Sequence, residues 1–258
     1  MRLMKRILSA AAVLALSASL LVGCSSGTAS SVPVSASSAA ESTVSSVEET
    51  ASSAVDENEA ADAQLLNDLT GSYQELWPVI LADEYKQTWL DVCTALVGED
   101  NAEAAFEKLS SMVTGDVYGE DAVKAYANGG GAYFCGFTNS LAILTFDGET
   151  STISGTDKDG NVLFSHTYHY IGMEPVRGLY EFQSDDADSG EFTYFFLAPD
   201  TSAETYHIEF RYGSDAEALS QYDTGEYAYW LASGISTDCD QTMIDNCIEL
   251  FCTENLAG

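Results

Sequence analysis

From Ala132 to Tyr212 the chain reads as seven short runs rich in aromatic and β-branched residues, and that pattern leaves few folds open. The runs cover residues 132–137, 141–146, 150–155, 162–171, 178–183, 191–197 and 205–212. Asp147-Gly148, Asp159-Gly160, Gly172, Ser189-Gly190 and Pro199-Asp200 punctuate them as turns. Seven antiparallel strands in one layer expose two unpaired edges unless the sheet curls round on itself. The expected fold is therefore mainly β with added helices, built on a closed or nearly closed antiparallel barrel.

Helical spacing flanks the strands. Leu65, Leu66, Leu69, Tyr73, Leu76 and Trp77 recur at threes and fours until Pro78 interrupts them. A second amphipathic piece carries Tyr85, Trp89, Val92, Leu96 and Val97. Asp100 with Glu103 reads as a capping box for a third, and a short fourth covers 121–126. After the strands, Ser214 with Glu217 and Asp238 with Gln241 predict two more capped helices, with Tyr227 to Leu231 as an extended aromatic segment laid across the barrel.

The N-terminal part is of another kind. Arg2, Lys5 and Arg6 precede an apolar run from Ile7 to Leu20 that ends on Leu21-Val22-Gly23-Cys24. Residues 1–23 resemble a bacterial lipoprotein signal peptide, whose removal leaves Cys24 as an acylated N-terminus and an extracytoplasmic membrane anchor. Residues 24–62 are Ser-, Ala- and Glu-rich with no aromatic residue, so they cannot bury enough surface to order themselves and read as a tether. Residues 63–258 remain for one domain.

Charge narrows the partners. The formal net charge is −32, and the leader's three basic residues make the remainder more negative still. Such a surface repels phosphate backbones and anionic headgroups, which disfavours nucleic-acid binding, and it attracts cations. Five cysteines besides Cys24, at 93, 135, 239, 247 and 252, include no CxxC pair. Neither a zinc knuckle nor a complete disulfide framework follows from them, although a long-range bridge from Cys93 to one of the C-terminal three stays open.

The run Thr205-Tyr206-His207-Ile208-Glu209-Phe210-Arg211-Tyr212 alternates, so His207, Glu209 and Arg211 share one face of a strand. An imidazole and a carboxylate two residues apart can converge on one cation, which makes His207 and Glu209 the candidate metal ligands. The alternative reading is a polar, solvated strand face. Asp157-Lys158-Asp159-Gly160-Asn161 lacks the acidic spacing and closing Glu of a calcium loop and reads as a hairpin turn. No nucleophile elbow, HExxH or P-loop is present, so a non-enzymatic role is expected.

Three stretches carry a family resemblance: residues 66–78, opening Leu-Asn-Asp-Leu-Thr-Gly-Ser-Tyr; residues 157–163 with 175–182; and Leu197-Ala198-Pro199 followed by 207–219. Together they resemble the ZinT (YodA) metal-binding proteins and the similar C-terminal domain of AdcA-type zinc lipoproteins, with 66–78 similar to that family's opening helix. The resemblance implies a lipocalin-like (calycin) β-barrel with N-terminal and C-terminal helices. It also implies a bound Zn²⁺ passed to a metal ABC transporter or its binding protein. The implied ligands are three histidines; here His207 matches one, while Glu209 and Phe195 stand at the other two positions. His166, His169, Glu181, Asp200 and Glu204 are candidates to complete the set, and an oxygen-richer set shifts preference toward Mn²⁺ or Ca²⁺. The competing function is a lipocalin-like binding module with a degenerate metal site, taking a small apolar ligand, a glycan or a surface protein.

Overall fold

A computed structural model describes residues 64–126, 131–198 and 207–256, all within one compact unit spanning Glu57–Gly258. The expected leader 1–23, the acylated Cys24, the tether to residue 62, and Asp200 and Glu204 lie outside the described residues.

The described chain opens in a helical turn at residues 64–68 (α1) and then forms β1 (Gly71–Glu75). Four helical elements follow: α2 (Leu76–Ile80), α3 (Lys86–Val97), α4 (Glu99–Val113) and α5 (Glu120–Tyr126). A meander of β2 (Ile143–Asp147), β3 (Thr152–Thr156), β4 (Val162–Met173), β5 (Tyr180–Ser184), β6 (Tyr194–Leu197) and β7 (His207–Gly213) comes next. The turn α6 (Ala216–Leu219), β8 (Ala232–Ser236) and α7 (Gln241–Leu256) complete it. Each strand pairs antiparallel with the next, and β1 pairs with both β2 and β8, so the sheet closes as an up-and-down, lipocalin-like barrel.

The interior is filled rather than hollow. Phe146, Phe164, Phe182, Phe195, Phe210 and Tyr212 all point inward and are at most 5% exposed. Phe195 stacks beside Tyr212 with ring centroids 5.4 Å apart, and Tyr168 meets Phe195 edge-on at 5.4 Å. Each such ring contributes about 1.5–3 kcal/mol on burial. A second core lies outside the wall, where α2, α3, α4 and α7 pack over Ile235 of β8 through Trp77, Trp89, Leu109 and Ile248. Trp89 Nε1 donates to Ile80 O at 2.7 Å and pins α3 against the end of α2.

Two bulges, at Gly155/Thr156 and between Tyr170 and Gly172, bend β3 and β4 into the curve that closure needs. The β2–β3 turn approaches so closely that a Cβ on Gly148 would lie 2.4 Å from Asn67 Cα. Gly148 N donates to Thr70 Oγ1 there, tying α1 to the hairpin. The Asp157 turn forms as expected: its Oδ1 accepts from Asp159 N at 2.9 Å and Asn161 N at 2.8 Å, with Gly160 at φ 81°.

Several expectations are corrected. Residues 65–77 are not one helix. Gly71 at φ 146° ends the helical turn, and Tyr73 points inward between the polar Ser72 and Gln74, so the stretch supplies the eighth strand. Apolar residues at 69, 73 and 76 keep a helical spacing, but within 71–75 only Tyr73 is apolar, and sheet closure overrides the pattern. Residues 132–137 are not a barrel strand; Phe134 makes isolated bridges to Thr114 and Trp230. That segment runs across the barrel mouth, where Phe137 N donates to Glu75 Oε1 and Thr138 N to Tyr212 Oη. Before β6, Gly190–Phe192 is a 3-10 turn. The aromatic segment at 227–231 leads into β8, which the sequence reading lacks. The caps shift as well: Asp215 accepts from Ala218 N, Asp240 accepts from Met243 N, and Gly98 at φ 85° precedes α4 in place of a capping Asp100.

Arg211 holds the covering loop to the wall. It points outward from β7, is 0% exposed, and donates to the carbonyls of Leu219, Gln221 and Tyr227. Its guanidinium lies 4.3 Å from the Tyr222 ring centroid, and Arg177 covers the same ring at 4.2 Å. Replacing Arg211 by Ala orphans two buried carbonyls and one part-buried one, and urea unfolding should show a loss on the order of 3–5 kcal/mol.

Buried phenols predict an alkaline weakness. Burial first, then the charge of Glu174, pushes Tyr222 up to about 12, and burial with Glu191 does the same for Tyr227. Both folded values exceed the unfolded value of about 10, so this contribution is complete below pH ~10 and is lost as pH rises toward 12. Denaturant midpoints measured from pH 9 to 11.5 should fall through that window. Among the described residues Tyr222 Oη has no well-formed hydrogen bond, its polar neighbour being the Arg211 guanidinium, so Tyr222→Phe should cost little stability at neutral pH and flatten the alkaline slope.

Candidate functional site

Strand β7 sets the geometry. Ile208, Phe210 and Tyr212 enter the barrel core, so the alternation sends His207, Glu209 and Arg211 to the outer face, as the sequence pattern predicts. His207 lies opposite Ile235 and Glu209 opposite Ser233 across the β7–β8 ladder. Ala198 N donates to Glu209 O at 2.9 Å on the other side. Both side chains are half-buried, where the second core meets the wall.

The neighbours of Glu209 come from far away in sequence. Ser233 N donates to Cys135 O at 3.0 Å, which brings the 132–137 segment alongside. Burial, and second the charge of Glu209, pushes the Cys247 thiol up to about 12; the same two causes raise Cys135. Both thiols are therefore protonated at neutral pH and are poor ligands until a metal displaces their protons. Nothing in the local sequence marks this juxtaposition, because Cys135 and Cys247 reach Glu209 only through the packing of the mouth segment and α7 on the outer wall.

The remaining candidates are dispersed. Register runs from His169 through Gln183 and Tyr194 to Gly213, which places the β4 histidines level with the far end of β7, about 20 Å along the strand from His207. They face opposite ways, as expected of residues three apart on a strand. His166 Nδ1 lies 2.9 Å from Asp186 Oδ2, and His169 Nδ1 lies 2.7 Å from Asp185 Oδ1. Glu181 faces outward level with Arg211, its carboxyl raised by burial and by Glu174. Glu174 itself is buried and accepts from the backbone N–H groups of Val176, Arg177 and Gly178. Among the described residues, no group of three or more His, Cys, Asp or Glu side chains is placed to hold a metal ion.

Position 195 is on the wrong side of the wall for a ligand shared with His207 and Glu209. Phe195 lies opposite Tyr212 and points with it into the core. The three positions that the family resemblance groups as ligands are thus split between the two faces of the sheet.

A second feature is a cleft of about 330 Å³ lined by Glu75, Trp77, Leu81, Val113, Phe134 and Cys135 among others, between the start of α2, the end of α4 and the mouth segment. Trp77 Nε1 is buried there beside the Cys135 thiol, a weak acceptor, and has no stronger partner among the described residues.

The split between faces has a direct consequence. Phe195→His restores the missing imidazole in sequence but aims it among aromatic rings. Calorimetric zinc titration should show no tightening relative to wild type. Urea unfolding should show a loss of about 2–4 kcal/mol, from the lost ring and the unpaired imidazole nitrogens.

Comparison with known proteins gives the following. No protein-family model and no curated protein sequence matches the chain. Among solved structures it is similar to the Zn(II)-bound ZinT-like domain of Streptococcus pneumoniae AdcA, at 16% identity and a TM-score of 0.44, covering 71% of this chain and 89% of that one. It is also similar to Zn(II)-bound AdcA from Streptococcus pneumoniae, at 17% identity and a TM-score of 0.40, covering 72% of this chain and 35% of that one. At these scores the likeness says nothing about the site, and the barrel rests on its own strand pairing.

Proposed function

We propose that this chain is an extracytoplasmic binding protein, anchored through acylated Cys24, that captures a divalent cation, zinc in the first place, and supplies a metal-uptake transporter. The observation that carries the reading is the pairing of His207 and Glu209: an imidazole and a carboxylate two residues apart, on one outward face, both half-buried at the start of β7. These are legitimate zinc donors, and the cation is cargo rather than a resident cofactor. Two protein donors with water completing the shell make an exchangeable site, which suits a carrier that must release its load. The acidic surface raises the local cation concentration. The chemistry required is binding and release, so the role is not enzymatic.

A second reading, a binding module for a small apolar ligand, is favoured by the cleft at Trp77 and Cys135, whose volume is that of a small-ligand site. The barrel interior does not serve it, since aromatic rings occupy that space.

Calorimetric zinc titration of the full chain carrying Cys24→Ala, beside the same chain with His207→Ala and Glu209→Ala, separates the two. The carrier reading expects the double variant to bind at least tenfold more weakly, about 1.4 kcal/mol or more. Equal binding by both proteins sinks it, and saturable binding of an apolar fluorophore that a Trp77→Ala change abolishes would support the module.

A further inference from the structure

The sulfurs of Cys93 and Cys252 are 4.0 Å apart, in contact at the centre of the second core. Cys93 sits on α3 and Cys252 in the last turns of α7, and both are 0% exposed. The two helices pack directly against each other, with Phe251 meeting Trp89 edge-on at 6.0 Å beside them. A disulfide requires a sulfur separation of about 2.05 Å, so each sulfur has to travel about 1 Å, which a small rotation about the side-chain bonds supplies. Among the described residues the other three cysteines show no such sulfur contact: Cys135 and Cys247 are buried within range of the Glu209 charge, and Cys239 is half-buried beyond the end of β8.

We propose that Cys93 and Cys252 form a disulfide that staples the C-terminal helix to α3 when the chain meets a low-molecular-weight disulfide such as oxidised glutathione. One protein thiolate attacks a sulfur of that disulfide and expels one glutathione thiolate. The second protein thiolate then attacks the mixed disulfide and expels the other. One S–S bond breaks and one forms; the two protein thiols lose two protons and two electrons, and the oxidant is reduced to two thiols.

Burial decides when this happens. Burial raises both thiols, so the packed protein holds almost no thiolate there and the oxidant has no path to it. Cys252 lies four residues from the end of α7, and fraying of that helix end is the cheapest opening that exposes it. Oxidation is therefore slow on the folded, reduced chain and fast during refolding, after which the closed bond is shielded. The staple closes a long loop between positions 93 and 252, the case in which a cross-link restricts the unfolded chain most.

The test uses the full chain carrying Cys24→Ala, refolded with millimolar oxidised glutathione, alkylated, and cut after glutamate. The expected product is the peptide Tyr85–Glu99 joined to Leu250–Glu254, with three alkylated cysteines remaining. Its melting temperature should rise on the order of 10 °C above that of the reduced chain, and Cys252→Ser should abolish the rise. A cross-link from Cys93 to Cys239 or Cys247, or five alkylated cysteines after refolding, overturns the assignment. The peptide map needs no variant that must fold, and its outcome is independent of whether His207 and Glu209 bind zinc.

Discussion

Closure of the sheet is the constraint on which everything else in this molecule depends. The β1–β8 ladder, through Tyr73, Gln74 and Glu75 against Ser236, Ile235 and Gly234, removes the two edges that a seven-strand meander would leave open. Those two strands stand at opposite ends of the described chain, and the helices α2 to α5 are inserted between β1 and β2. The closing ladder therefore joins residues distant in sequence, and the second core packs around it: Ile235 of β8 faces α2, α3, α4 and α7. Inside, the aromatic rings fill the space that larger barrels leave for ligands. A barrel filled in this way leaves its outer wall to carry function.

The outer wall is divided along β7 by what covers it. At the end of the strand near Gly213, Arg211 is enclosed by the loop running from α6 to Tyr227, with carbonyl oxygens as its partners. An enclosed guanidinium whose partners are neutral carbonyl oxygens is costly, and its desolvation lowers its affinity for the proton. The cost is offset by three charge-assisted hydrogen bonds and the Tyr222 ring, which together fix a loop that has little other regular structure. At the start of the same strand face, His207 and Glu209 are covered less completely. One alternating strand thus provides a structural anchor at one end and a half-open pair of donor side chains at the other.

The fold was legible where period-2 alternation ran between turn residues, and six of the seven expected runs, all but the first at 132–137, coincide with β2 to β7 within a few residues. It was not legible where a helical spacing runs on through a strand. Leu69, Tyr73 and Leu76 are spaced as on a helix, and only the long-range demand for an eighth partner makes residues 71–75 extended. For β8, Ala232-Ser233-Gly234-Ile235-Ser236 has weak strand composition, and it forms because two neighbouring strands offer it hydrogen bonds. The caps at Asp215 and Asp240 show a smaller version of the same limit: residues one or two positions apart can each cap, and the exact entry of the chain chooses.

The outward direction of His207 and Glu209 was readable from alternation, but their company was not. A motif in sequence says that ligands are near one another along the chain; the register of paired strands says whether they face the same way. Phe195 and Tyr212 are cross-strand partners, so position 195 shares the parity of 208, 210 and 212 and never that of 207 and 209. No substitution at 195 alone changes that parity; a one-residue slip of β6 against β7 would be required, and it would turn Phe195 out of the core while driving the flanking residues in. The filled interior forbids the slip. The same packing that makes the barrel stable therefore fixes the candidate site at two donors from β7, and any further donor has to come from the elements that lie over the outside of the wall.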